Sequence, residues 1–199
     1  MVALSPLPSY LTGMGMGMGK AEEIAKRWMH GTRQGSLRPA WAHPADVVVL
    51  LREMPGVRTP ELDRFYEEVA WLHDIVEDGR KHDGSYVSSG DLTKEGISAE
   101  VIDAVIALSH REGEDKVSYL VRLRDASPRV KTVKAADRVC NLREGLRTFK
   151  NARWGRYVRE TQQFILPLLE DVPSFESVWL GALLVEAMAA RSIPPDSTP

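Results

Sequence analysis

The stretch Trp71-Leu72-His73-Asp74-Ile75-Val76-Glu77-Asp78 sets four ionisable residues inside an otherwise apolar run. Leu62, Phe65 and Val69 precede it at helical spacing. It therefore reads as the end of a helix that opens at Thr59-Pro60-Glu61 and stops at Gly79. At about 100° per residue, His73, Glu77, Asp74 and Asp78 fall near ~0°, ~40°, ~100° and ~140°, all on one side. Leu72 and Val76 point largely away. Three carboxylates beside an imidazole repel one another unless a cation lies among them. A divalent metal is the natural neutraliser, and its remaining ligands must come from elsewhere in the chain.

Working outward, helical spacing recurs and no alternating strand pattern is found. Lys20 to His30 forms one helix, and His43-Pro44 opens a second that ends before Pro55-Gly56. Residues 80–90 read as a polar loop lying over the motif, with a short helical turn from Asp91 to Glu95. Ser98 caps a helix carrying Val101, Ile102, Val105 and Leu108, and the next buries Val117, Leu120, Val121 and Leu123. Pro128 opens a helix with Val130, Val133, Ala136, Val139, Cys140 and Leu142 on its apolar side, and two more span about 154–170 and 175–191. The expected architecture is an all-α bundle forming one domain over residues 20–192. Residues 1–19, with their Gly-Met alternation, are expected as a flexible leader and 193–199 as a disordered tail.

Composition narrows the class. The 199 residues are 43% apolar and 27% charged, enough for one domain with a substantial core. A net charge of −2 gives no bulk attraction to nucleic acid. The sign is uneven, since ten Lys/Arg residues between Arg129 and Arg159 face two acids, Asp137 and Glu144. That excess suits a phosphorylated small molecule, and it equally suits a solvated helix face. The single cysteine, Cys140, excludes an intrachain disulfide and a cysteine-based zinc site, and reads as a reduced core thiol in a cytoplasmic protein. No apolar run approaches the ~18 residues a membrane span needs, and the N-terminus lacks a secretory pattern.

Two segments answer the motif. His43 stands at a helix start, where an isolated histidine is more often structural. Beside His73-Asp74 it completes a mixed nitrogen and oxygen set suited to manganese, iron or zinc. Asp137 and Asn141 are i, i+4 within a small-residue apolar stretch, where a lone buried carboxylate would be costly. The plainer alternative is a surface pair of Asp137 with Lys134 or Arg138.

The order His43, His73-Asp74, Asp137 resembles the signature of HD-domain metal-dependent phosphohydrolases. His30-Gly31-Thr32-Arg33, Pro39-Ala40-Trp41-Ala42-His43-Pro44, Leu72-His73-Asp74-Ile75-Val76-Glu77-Asp78 and Val133-Lys134-Ala135-Ala136-Asp137-Arg138-Val139-Cys140-Asn141-Leu142 resemble, more narrowly, the hydrolase domain of RelA/SpoT homologues. That resemblance spans roughly residues 20–165. It implies an HD helical bundle, a divalent cofactor that is usually Mn2+, and removal of the 3′-pyrophosphate from ppGpp and pppGpp. It also implies that His43, His73, Asp74 and Asp137 hold the metal, while Glu77 and Asp78 position and deprotonate the attacking water. Arg33 would stack on the guanine and Asn141 would contact the nucleotide, with Lys134 and the basic residues of 143–159 as further phosphate contacts. Gln34, Trp41 and Cys140 depart from the family's wording. The partner expected is a small nucleotide, with neither nucleic acid nor membrane, and self-association is left open. Two other readings stay open: an HD-type hydrolase of another nucleotide (a deoxynucleoside mono- or triphosphate, or the 2′-phosphate of NADPH), and an idle nucleotide-binding module.

Overall fold

The structure, a computed structural model, describes residues 19–33, 37–55 and 59–191. The expected leader (but for Gly19) and tail, and the departure at Gln34, lie outside the described residues. Helices form where the sequence supplies caps and apolar faces. They are α1 (Lys20–Trp28), α2 (Ala42–Arg52), α3 (Pro60–Leu72), α4 (Ile75–Asp78), α5 (Ser89–Lys94), α6 (Ala99–Leu108) and α7 (Lys116–Arg122). After them come α8 (Pro128–Thr148), α9 (Asn151–Glu160), the single turn α10 (Leu166–Leu168) and α11 (Ser174–Ala189). The described residues contain no strand, only isolated bridges at Thr32–Pro39 and Arg80–Tyr86. The fold is all-α, as the periodicity requires.

Helix starts follow the capping chemistry. Thr59 Oγ1 accepts from the Leu62 amide at 3.2 Å, with Pro60 in the first turn. Ser98, Asp115 and Ser127 cap α6, α7 and α8 in the same way. Ser88 and Asp91 form a reciprocal capping box, so the short turn expected at 91–95 is a helix starting at Ser89.

α8 is the central element. It packs against α2, α3, α6, α9 and α11, and Val133, Ala135, Ala136, Val139 and Leu142 have no exposed surface. α2 and α3 pack on each other and α1 covers α3, so the His43 end of α2 and the C-terminal end of α3 meet α8 around one point. Tertiary packing of these apolar faces, rather than helix propensity, holds elements this short.

Four expectations need correction. The helix from Pro60 does not run unbroken to Gly79: α3 ends at Leu72, and Asp74 adopts φ −97° and ψ −1° before α4 restarts the spiral. Residues 80–90 pack against the C-terminal end of the motif rather than across it, with Arg80 Nη1 donating to Glu77 O at 3.2 Å. Arg80 N donates to Trp28 O at 2.8 Å and Val87 N to Gly79 O at 3.3 Å, which folds the loop back on α1. Gly79 tolerates that approach because it has no Cβ; one would stand 3.0 Å from Val87 Cγ2 and 2.3 Å from Ile75 O in the preceding turn. Val117 and Val121 are exposed, and Tyr119, Leu120 and Leu123 take the buried face instead. The helix expected at 154–170 begins at Asn151 and passes through a π segment, Thr161–Ile165, into α10. Pro167 lacks an amide hydrogen and crowds the preceding turn, which is a recognised cause of such a bulge.

Candidate metal centre

The break between α3 and α4 shapes the site. His73 Nδ1 lies 2.7 Å from Ala70 O, so it carries the proton and donates to that carbonyl. This fixes the ring and turns Nε2 inward, where it can bind a cation in exchange for its proton. His73 Nε2 is buried and has no hydrogen-bond partner. Around it stand Asp74 Oδ1 at 3.2 Å and Asp137 Oδ1 at 3.7 Å. The His43 ring, buried at the start of α2, lies 5.2 Å from the His73 ring centroid to centroid. His43 Nε2 is 2.9 Å from Asp137 Oδ1 and 3.9 Å from Asp74 Oδ2. His43, His73 and Asp74 each offer one ligand atom within 4.8 Å of the others, a group that can hold a metal ion.

The electrostatics state the same need. Burial alone would depress the His73 imidazole, but the Asp74 carboxylate, with Asp137 behind it, raises its pKa to about 10. Burial would raise Asp74, and the His73 charge outweighs it and brings Asp74 down to about 2. Asp137 is buried too, yet Lys134, then His43 and His73, hold its carboxyl well below the usual range. The cluster is negative enough to retain a proton on a buried imidazole. A divalent cation would supply that positive charge, and a set of two imidazole nitrogens with carboxylate oxygens fits Mn2+, Fe2+ or Zn2+.

Asp137 belongs to a longer chain of contacts along α8. Lys134 Nζ donates to its Oδ2 at 2.9 Å, and Asn141 Nδ2 donates to its Oδ1. Asn141 Oδ1 in turn accepts from Arg33, whose Nε donates to Glu144. The plainer Asp137–Lys134 pair therefore exists, but it is buried rather than on the surface, and Arg138 turns away to Glu160 at 2.6 Å. The turn that returns as Arg33 N donates to Arg38 O, 3.0 Å, holds Arg33 at the mouth.

Two cavities flank this bar of Arg33 and Asn141, and both residues line each. The larger, about 440 Å³, is bordered by Met29, His30, Asp78, Glu144, Phe149 and Arg153. The smaller, about 190 Å³, is bordered by Asp74, Glu77, Lys134 and Asp137 together with His110, Lys116, Tyr119, Arg138 and Tyr157. The four motif residues thus do not share one face. The turn at His73-Asp74 sends Glu77 to the smaller cavity and Asp78 to the larger. Burial, then the Asp74 charge, raises both carboxyls against the lowering influence of the His110 amide on Glu77 and of Arg33 on Asp78.

Sequence reasoning missed the 109–116 segment. Glu77 Oε1 accepts from the His110 amide at 2.8 Å, and the His110 ring lies 4.1 Å from that of Tyr119. Arg122 holds the segment in place, donating to Ala107 O, Ser109 O and Glu114 at 2.8–3.0 Å. The contact that ties this segment to the site is made by a backbone amide, which no side-chain pattern marks. Of the basic residues in 143–159, Arg153 alone lines either of these two cavities, stacked 4.0 Å from the Phe149 ring. Among the described residues no helix is long and apolar enough to cross a membrane. Comparison of the chain with protein-family models and with curated proteins gives no match.

Proposed function

We propose that this chain is a divalent-metal phosphohydrolase of the HD type that removes the 3′-pyrophosphate from ppGpp and pppGpp. The observation that carries the reading is the buried, unpartnered Nε2 of His73 aimed at His43, Asp74 and Asp137. A buried nitrogen left without a partner costs about 1–3 kcal/mol, and a cation among these side chains relieves it. His43, His73, Asp74 and Asp137 would hold that ion, Mn2+ in this reading. When bound, it would lower the pKa of a water and neutralise phosphoryl oxygens.

The chain's own residues supply the remaining parts. Glu77 and Asp78 stand beside the ligands, and burial raises their carboxyl pKa values above the ordinary range, a shift in the direction that favours a proton acceptor for the attacking water. The His110 amide orients Glu77. Arg33 spends its edges on Glu144 and Asn141, which leaves its guanidinium faces for a purine. The larger cavity lies within the range of small-ligand sites, about 300–1,000 Å³. The smaller is lined by Lys116, Lys134 and Arg138 as well as three carboxylates, so a bound divalent ion turns its charge clearly positive and suited to phosphate. Asn141 joins the two, where a ribose and its 3′-substituent would lie.

The test is a nucleotide panel with Mn2+, identifying the released product. Pyrophosphate and GDP from ppGpp are expected. Orthophosphate or triphosphate from deoxynucleotides, or orthophosphate from NADPH, would replace the substrate assignment while keeping the metal chemistry. No hydrolysis across the panel by metal-loaded protein would overturn the enzymatic reading.

A further inference from the structure

Between Ser174 and Ala189, α11 has two charged residues, Glu176 and Glu186, and is otherwise almost wholly apolar. A helix that is apolar all round belongs in an interior. One side of α11 meets that condition. Leu180, Leu184, Ala187 and Met188 are buried, α11 packs along α8, and Glu176 accepts from Tyr66 and Thr132. The opposite side does not. Phe175, Val178 and Val185 are 40%, 73% and 54% exposed, and Ala182 and Ala189 are exposed with them.

These five residues follow spacings of three, four, three and four, the a/d pattern of a helix-pairing seam. Trp179 and Leu183, partly buried, flank it. Glu186 is the single charged residue on this outer side of α11.

We propose that the seam is covered by a second copy of this chain, with the two α11 helices antiparallel across a two-fold axis near Ala182. The pattern is self-complementary, as an isologous contact requires. Small Ala182 at the centre lets the backbones approach, and bulky Phe175 at one end meets small Ala189 at the other end of the second copy. Charge selects the direction. A parallel pair would set the two Glu186 carboxylates side by side, whereas the antiparallel pair separates them by about 12 Å along the helix. A 16-residue helix is about 24 Å long. Pairing over that length reaches the low end of specific interfaces, about 1,000 Å² in total.

Sedimentation velocity of the full chain from about 1 to about 200 µM reads this directly. The mass should rise from the 22.2 kDa monomer toward twice that value. Val178→Glu and Val185→Lys change only exposed positions, so each variant should keep the wild-type melting temperature at low concentration and stay monomeric. Mixed in equal amounts they should form a heterodimer, because antiparallel pairing brings 178 of one chain beside 185 of the other. A wild-type chain that remains monomeric at the highest concentration overturns the proposal. So do variants that still dimerise alone, or monomeric variants whose mixture stays monomeric.

Discussion

Adding Mn2+ to metal-free protein should raise its melting temperature by roughly 5–11 °C. Ligand atoms from α2, the α3–α4 turn and α8 surround one point, and His43 and Asp137 are separated by 94 positions in the chain. The unfolded chain cannot present that set, so the ion binds the folded state preferentially. At a free concentration of about 100 times the dissociation constant, linkage stabilises the fold by about 2.7 kcal/mol. For a domain of this size each kcal/mol moves the midpoint by about 2–4 °C, which gives the range above. The assay is differential scanning calorimetry after EDTA treatment, titrating Mn2+, with bound metal counted on the same samples. Asp74→Asn removes one ligand and should reduce both the count and the shift. A shift below about 1 °C in wild-type protein, with no metal bound, would refute the assignment of this cluster to a metal.

Glu77→Gln should slow hydrolysis while leaving the Mn2+ shift intact. Because burial raises the Glu77 carboxyl above its ordinary 4.5, the wild-type rate should fall with acidity at a pH higher than that value, and the variant should lose this limb. The sign for stability is opposite. A carboxyl raised on folding favours the folded state while protonated and loses that contribution as pH rises through the folded pKa, so Glu77→Gln should melt higher than wild type at pH 7. Arg33→Ala should raise KM for ppGpp more than it lowers kcat, and an unchanged KM would remove Arg33 from nucleotide recognition. Arg122→Ala frees the 109–114 segment and should cost about 2 kcal/mol, read as a melting point lower by about 4–8 °C. The same variant should lower kcat with metal affinity unchanged, since it loosens the His110 amide that orients Glu77.

Much of the fold was legible because its signals are local. Thr59-Pro60, Ser98 and Ser127-Pro128 announce helix starts through hydrogen bonds that close within three residues. Val130, Val133, Ala136, Val139 and Leu142 mark the buried face of α8 by spacing alone. The convergence of His43, His73, Asp74 and Asp137 was implied by the family resemblance, since Asp137 by itself read equally as half of a surface pair, and the packing of α2 and α3 on α8 brings the four together.

What the chain alone could not decide lies between elements. A wheel drawn for an unbroken helix placed His73, Asp74, Glu77 and Asp78 on one side. In the structure the helix breaks at Asp74, with the His73 ring bonded back to Ala70, and Glu77 and Asp78 line two different cavities. Lys134 could have reached solvent, and only the depth of α8 commits it to Asp137. His110 enters the site through a backbone amide, a group every residue but proline possesses, so no side-chain pattern could have marked it. The apolar circumference of α11 was visible in sequence, but which half stays bare depends on where α8 lies. Local hydrogen bonding and burial write helices into a chain one turn at a time, whereas the site and the uncovered face are properties of how those helices meet.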